Sequence, residues 1–296
     1  MTDTPPTRHP RTLLRNGNRR LAALNVYTWT IPALSARIDG VTIRTCPAAG
    51  VCAKGACYAL AGTYRWSNVR QAHEANLRFV VTDPEGWERA MITELAAPKF
   101  RGAWVRLHDA GDFFSDDYTR AWMRIMRTAP DTRFYAYTKE VRRLRELVEP
   151  DPPPNFAWRF SFGGREDHLI RDGDRVADVF PDDDAIPGGW RSQRGDDLIA
   201  ADDTALVAIP ANNLPAARRA QGDRTFSQWQ AEDDAARGRP HCTDRVDRAL
   251  HTQPRRGPRS LIQPASPHRA TPHLATSTGE PDPATGELTT ERRPPS

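Results

Sequence analysis

The chain predicts an α/β fold of consecutive βα units forming a partial, open TIM-like barrel. Three observations carry that expectation. Short aromatic and β-branched runs alternate with amphipathic stretches of helix length between residues 83 and 210. Each run stops at a turn built from Asp, Gly, Lys or Asn. No dinucleotide-type glycine fingerprint accompanies them, which favours a barrel arrangement over an open Rossmann sheet.

The elements follow in order. A helical stretch from Val69 to Val80 leads into the alternation. Asp83-Pro84-Glu85 starts a helix, with Asp as cap, Pro at the first helical position and an acid in the first turn. Trp87, Met91 and Leu95 then mark one face. Trp104–His108 reads as a strand ending at Asp109-Ala110-Gly111-Asp112. Ser115 caps a helix whose apolar stripe is Tyr118, Trp122, Ile125 and Met126. Phe134–Thr138 is the next strand, stopping at Lys139, and Val141, Leu144, Leu147 and Val148 line a charged helix before Pro152-Pro153-Pro154. Phe156–Phe162 is a strand closed by Gly163-Gly164, Val176–Phe180 a short one, and Leu206–Ile209 the last, ending near Asn212 and Asn213. In parallel β/α folds ligands sit at the carboxyl ends of the strands. Those ends supply Asp109, Gly111 and Asp112, then Lys139, then Ser161 and Gly163, then Asn212 and Asn213.

The flanks differ from this centre. The segment 239–296 is rich in Pro, Arg, Ser and Thr and has no aromatic residue, so it buries too little apolar surface to offset its ordering entropy. The expected organisation is a disordered arm over 1–20, one α/β domain over 21–238, and a disordered tail over 239–296. Charge divides the same way. Residues 1–45 hold seven Arg against two Asp, and 239–296 hold nine Arg against six acids, so the overall +4 leaves the centre acidic. A basic nucleic-acid groove across the folded domain is therefore not indicated, although the Arg-rich arms can meet phosphate. No apolar run approaches the roughly 20 residues of a membrane span, and the N-terminus lacks a signal-peptide core. The expected setting is cytoplasmic, without membrane contact.

Three of the four cysteines, Cys46, Cys52 and Cys57, fall in the stretch TCPAAGVCAKGACYA; the fourth is Cys242. An odd trio among small residues is a poor disulfide framework and a good open metal site, with one coordination position left over. In a reducing compartment such clusters read as metal ligands more than disulfides. Three outcomes stay open on spacing alone: buried thiols, a zinc shell, or an iron–sulfur cluster.

The strings TCPAAGVCAKGACYALAGTYRW, VRLHDAGDFFSDDYTRAW and FYAYTK, in that order, resemble the gene product 88 domain family of mycobacteriophages and actinobacterial mobile elements. A three-cysteine loop followed by an Asp/Gly turn also looks like the radical S-adenosylmethionine enzymes. That resemblance implies a [4Fe–4S] cluster on Cys46, Cys52 and Cys57, with S-adenosylmethionine on the open iron. It also implies that the turn carrying Asp109, Gly111 and Asp112 contacts the cofactor's amino group. The spacing, C-x5-C-x4-C, departs from the family's commonest C-x3-C-x2-C.

The remaining candidates have two readings each. Tyr58 packs on the adenine or on the core. Lys139 is one of only three lysines in a chain that uses Arg for nearly all its positive charge; it binds a carboxylate or phosphate, or is a surface lysine. His108 reads first as a core histidine. Arg159, flanked by aromatics, must be paired if buried, with Asp109 or Asp112 as partners. The expected function is an iron–sulfur enzyme of phage or mobile-element origin acting on an unknown substrate. The alternative is a zinc-stabilised nucleic-acid-binding or accessory protein of mobile-element replication.

Overall fold

The structure, a computed structural model, describes residue 10 and residues 12–202, 204, 206–211 and 214–241. Asn212, Asn213, Cys242 and the tail beyond it lie outside the described residues. In chain order the elements are β1 (Arg15–Asn16), α1 (Arg19–Ala23), β2 (Val26–Trp29), β3 (Ser35–Ile38), β4 (Val41–Arg44), α2 (Ser67–Thr82) and α3 (Pro84–Leu95). They continue with β5 (Trp104–Leu107), α4 (Asp116–Thr128), β6 (Arg133–Thr138), α5 (Val141–Leu147), β7 (Phe156–Ser161) and β8 (Val176–Phe180). The last are β9 (Arg191–Ser192), β10 (Leu206–Pro210), α6 (Pro215–Gln221) and α7 (Phe226–Ala236).

One mostly parallel eight-stranded sheet runs β1-β2-β5-β6-β7-β8-β10-β9, with β1 antiparallel to β2 and every other pairing parallel. A separate antiparallel hairpin joins β3 and β4. The fold is thus mixed α/β. Helix starts obey local chemistry. Asp83 accepts from the Gly86 N–H at 2.9 Å, with Pro84 at the first helical position, and Trp87, Met91 and Leu95 are buried. The Ser115 hydroxyl accepts from Tyr118 N at 3.3 Å and opens α4.

Both faces of the sheet are covered, which is why its strands read as apolar runs. One face packs on the helices through an aromatic core: Trp29 and Trp87 have ring centroids 5.7 Å apart, Trp87 and Trp122 5.3 Å. Alternate residues, Trp104, Tyr135 and Ala157, face the other way against Leu21 and a short turn at Asp197–Ala201.

Two expectations change here. The arm does not extend to residue 20: Leu13 and Leu14 are buried, their N–H groups bond the Glu94 carboxylate at 2.6 and 3.2 Å, and β1 pairs with β2. Two leucines with a carboxylate waiting are enough to draw that segment onto the domain. Arg159 is buried but meets neither Asp109 nor Asp112. Its Nε donates to Ala200 O at 2.9 Å, Nη2 to Ile199 O at 2.7 Å and Asp202 O at 3.0 Å, and Nη1 to Thr204 O. The strand's alternation points it at the 197–204 turn instead. Among the described residues no helix is long and apolar enough to cross a membrane.

Candidate functional site

The cysteines lie in the connection between β2 and α2, the first βα connection of the parallel sheet, into which the β3–β4 hairpin is inserted. The loop is tied to the strand ends at almost every step. Thr45 O accepts from Asp112 N at 2.9 Å, and Cys46 Sγ from Leu34 N at 3.3 Å. Ala48 N donates to Glu140 Oε1 at 2.7 Å and Gly50 N to Gly163 O at 3.2 Å. Val51 N donates to Gln230 Oε1 at 2.8 Å, and Lys54 pairs with Asp233, both partners on α7. A Cβ on Gly50 would stand 1.9 Å from Gln230 Oε1, so only glycine admits that approach.

Cys46, Cys52 and Cys57 all line one cavity of about 440 Å³ at the carboxyl ends of the strands. Tyr58, Asp109, Gly111, Asp112 and Lys139 line the same cavity. Burial raises each thiol above the ordinary cysteine range, and the charges of the other two add to this at Cys46. Among the described residues, no group of three or more His, Cys, Asp or Glu side chains stands close enough to hold one metal ion.

The other candidates are brought to the cavity but are partly spoken for. Asp112, buried, accepts from Thr138 Oγ1 at 2.6 Å, Lys139 N at 2.9 Å and Phe113 N at 2.8 Å, stapling the β5 turn to the end of β6. Burial raises its pKa against those donors. Lys139 spends its ammonium on Ser161 O, Ser161 Oγ and Phe162 O at 3.1, 2.9 and 2.7 Å, so it clamps β6 to β7. Gly111 takes φ +81°, and a Cβ there would meet Ile31 Cγ1 at 2.3 Å. The Tyr58 hydroxyl donates to the Asp109 carbonyl, making it a strut between loop and turn. His108 is buried, contacts Tyr118 Oη at 3.0 Å, and burial depresses its pKa to about 3.

Groups beyond the sequence candidates, Tyr64, Arg106, Tyr137 and Asp167, join the site. Asp109 Oδ2 accepts from the Tyr64 hydroxyl, and its Oδ1 lies 3.2 Å from Arg106 Nη2. Tyr64, Asp109 and Asn18 also wall a second cavity of about 440 Å³. Arg106 and Tyr137 line the cysteine cavity from the sheet itself. Their signal is the two-residue alternation, which sets Arg106 on the face of Trp104 and Tyr137 on that of Tyr135. Asp167 accepts from Gly163 N and Gly164 N at 2.7 and 2.9 Å, and burial pushes its pKa up to about 7.

Fold and site together define an α/β protein with a thiol-lined cavity at the carboxyl edge of a parallel sheet. The gene product 88 family model matches residues 12–243, and the chain belongs to that family. It is similar to the Gene 88 protein of Mycobacterium phage L5, 40% identical over 65 residues, which are 22% of this chain. The match spans 25% of that relative's length. No solved structure matches the chain.

Proposed function

We propose that the protein is an iron–sulfur enzyme of radical S-adenosylmethionine type, acting in a reducing, cytoplasmic setting. The observation that carries this is the convergence of Cys46, Cys52 and Cys57 on one cavity that also reaches the strand-end turn of Asp109 and Gly111. Three thiolates lining one cavity supply the donors of a cluster with one open iron.

In this reading Cys46, Cys52 and Cys57 hold the cluster and leave one iron open; the group supplies one-electron chemistry when bound. The chain's own part is to hold the loop rigid through Glu140, Gln230 and Asp233. The six strands β2, β5, β6, β7, β8 and β10 neighbour one another in chain order, which supports reading the sheet as an open barrel segment.

Protein purified without oxygen is expected to be brown, to absorb near ~400 nm and to hold acid-labile sulfide with iron. Each of Cys46→Ser, Cys52→Ser and Cys57→Ser is expected to abolish the colour. Colourless protein free of iron and sulfide after anaerobic reconstitution overturns the proposal.

A further inference from the structure

The cysteine cavity has a second chemical feature, on the sheet side. Of the charged groups lining it, Lys139 has its three N–H donors taken and Asp112 accepts three bonds. Asp197 is paired with Arg20 Nε at 2.8 Å, and Asp109 is shared between Tyr64 and Arg106. Arg106 stands apart. A guanidinium carries five N–H donors, and among the described residues this one meets the Asp109 carboxylate at 3.2 Å. Its Nε is buried without an acceptor, and so is the hydroxyl of Tyr137, whose ring centroid lies 5.9 Å from the guanidinium carbon. About a sixth of the Arg106 side chain remains exposed, in the wall of the cavity. Buried donors without acceptors are costly, which makes this corner a receiver for oxygen. A planar guanidinium matches a two-oxygen anion in particular.

The geometry points to Arg106, with Tyr137 beside it, as an anion-binding subsite that recognises a carboxylate or phosphate on the molecule entering the cysteine cavity. This goes beyond the cluster reading and does not depend on which metal the thiols hold. The substrate class it selects is a small organic acid or phosphate ester, held by its oxyanion against the sheet with the remainder extending towards the thiols. The volume, about 440 Å³, accommodates such a molecule.

The test is isothermal titration of the full chain, prepared without oxygen, with inorganic phosphate and separately with acetate at fixed ionic strength. At least one probe is expected to bind saturably, and the tighter one names the source of the oxyanion. Arg106→Met is expected to weaken that binding at least tenfold, and Tyr137→Phe, which keeps the ring, a few-fold. Arg124→Met, on the surface of α4 and paired with Glu88, is expected to leave it unchanged. Failure of both probes to saturate on the parent protein overturns the subsite, as does undiminished binding in Tyr137→Phe together with a folded Arg106→Met. Iron measured on the same samples separates the two ideas. Anion binding without iron retains the subsite and removes the cluster; iron without anion binding does the reverse.

Discussion

Two arginines on the same face of the sheet, with one strand between them, lead opposite lives. Arg159 on β7 is sealed from solvent and donates to four backbone carbonyls of the 199–204 turn. Arg106 on β5 meets one carboxylate and otherwise faces a cavity. Burial lowers the Arg159 pKa to about 10, still charged at neutral pH, so its role is to hold a turn against the sheet. An identical side chain is structural where backbone acceptors surround it and available where they do not. What differs is only which loop lies over each strand.

Removing each in turn is the strongest way to break that comparison. Arg159→Met strands several buried carbonyls and is expected to cost about 3–5 kcal/mol in urea unfolding. Arg106→Met is expected to cost about 1 kcal/mol or less. Equal losses would erase the distinction.

Next in size is the pH dependence of the ties around the open region. Burial and the charge of Asp112 raise Glu140 to about 8, outweighing the Ala48 N–H and Arg143, and burial raises Asp167 to about 7. Both carboxyls hold their protons more tightly folded than unfolded. Their contribution is complete below about pH 4 and is lost as pH rises through 7 to 8. Unfolding midpoints measured between pH 4 and 9 are expected to fall across that window, and to fall less in Glu140→Gln and Asp167→Asn. A parent profile that rises there would contradict this.

Gly111→Ala, strained at positive φ and crowded by Ile31, is expected to destabilise by about 1–3 kcal/mol. Smaller than this is Tyr64→Phe, which removes the hydroxyl bonded to Asp109 and is expected to cost about 0.5–1.5 kcal/mol. If Asp109 and Arg106 are the open side of the comparison, that variant alters anion affinity more than stability.

How much of this was legible follows the same division. Helices α3 and α4 and strands β6 and β8 stand close to where caps, breakers and apolar stripes put them, because their buried residues are apolar and regularly spaced. α7 was not foreseen because its buried side includes Ser227, Gln230 and Asp234, polar groups buried to serve hydrogen bonds. The β3–β4 hairpin carries a local signal of its own: Asp39 and Gly40, both at positive φ, form the two-residue turn that flanking alternation announces. The thiol trio was visible from spacing, and so were the strand-end acids. Which of those acids was already committed was not, since Asp112 and Asp109 differ only in their neighbours across the fold. The partners of Arg159 were beyond reach for the same reason: they are carbonyls of a turn 40 and more residues away.

Gln230 and Asp233 grip the cysteine loop across 179 positions of chain. A ribosome therefore exposes all three thiols long before the helix that fixes their spacing has been made. Whatever the cavity is built to receive must wait until α7 has been made and has docked on the loop.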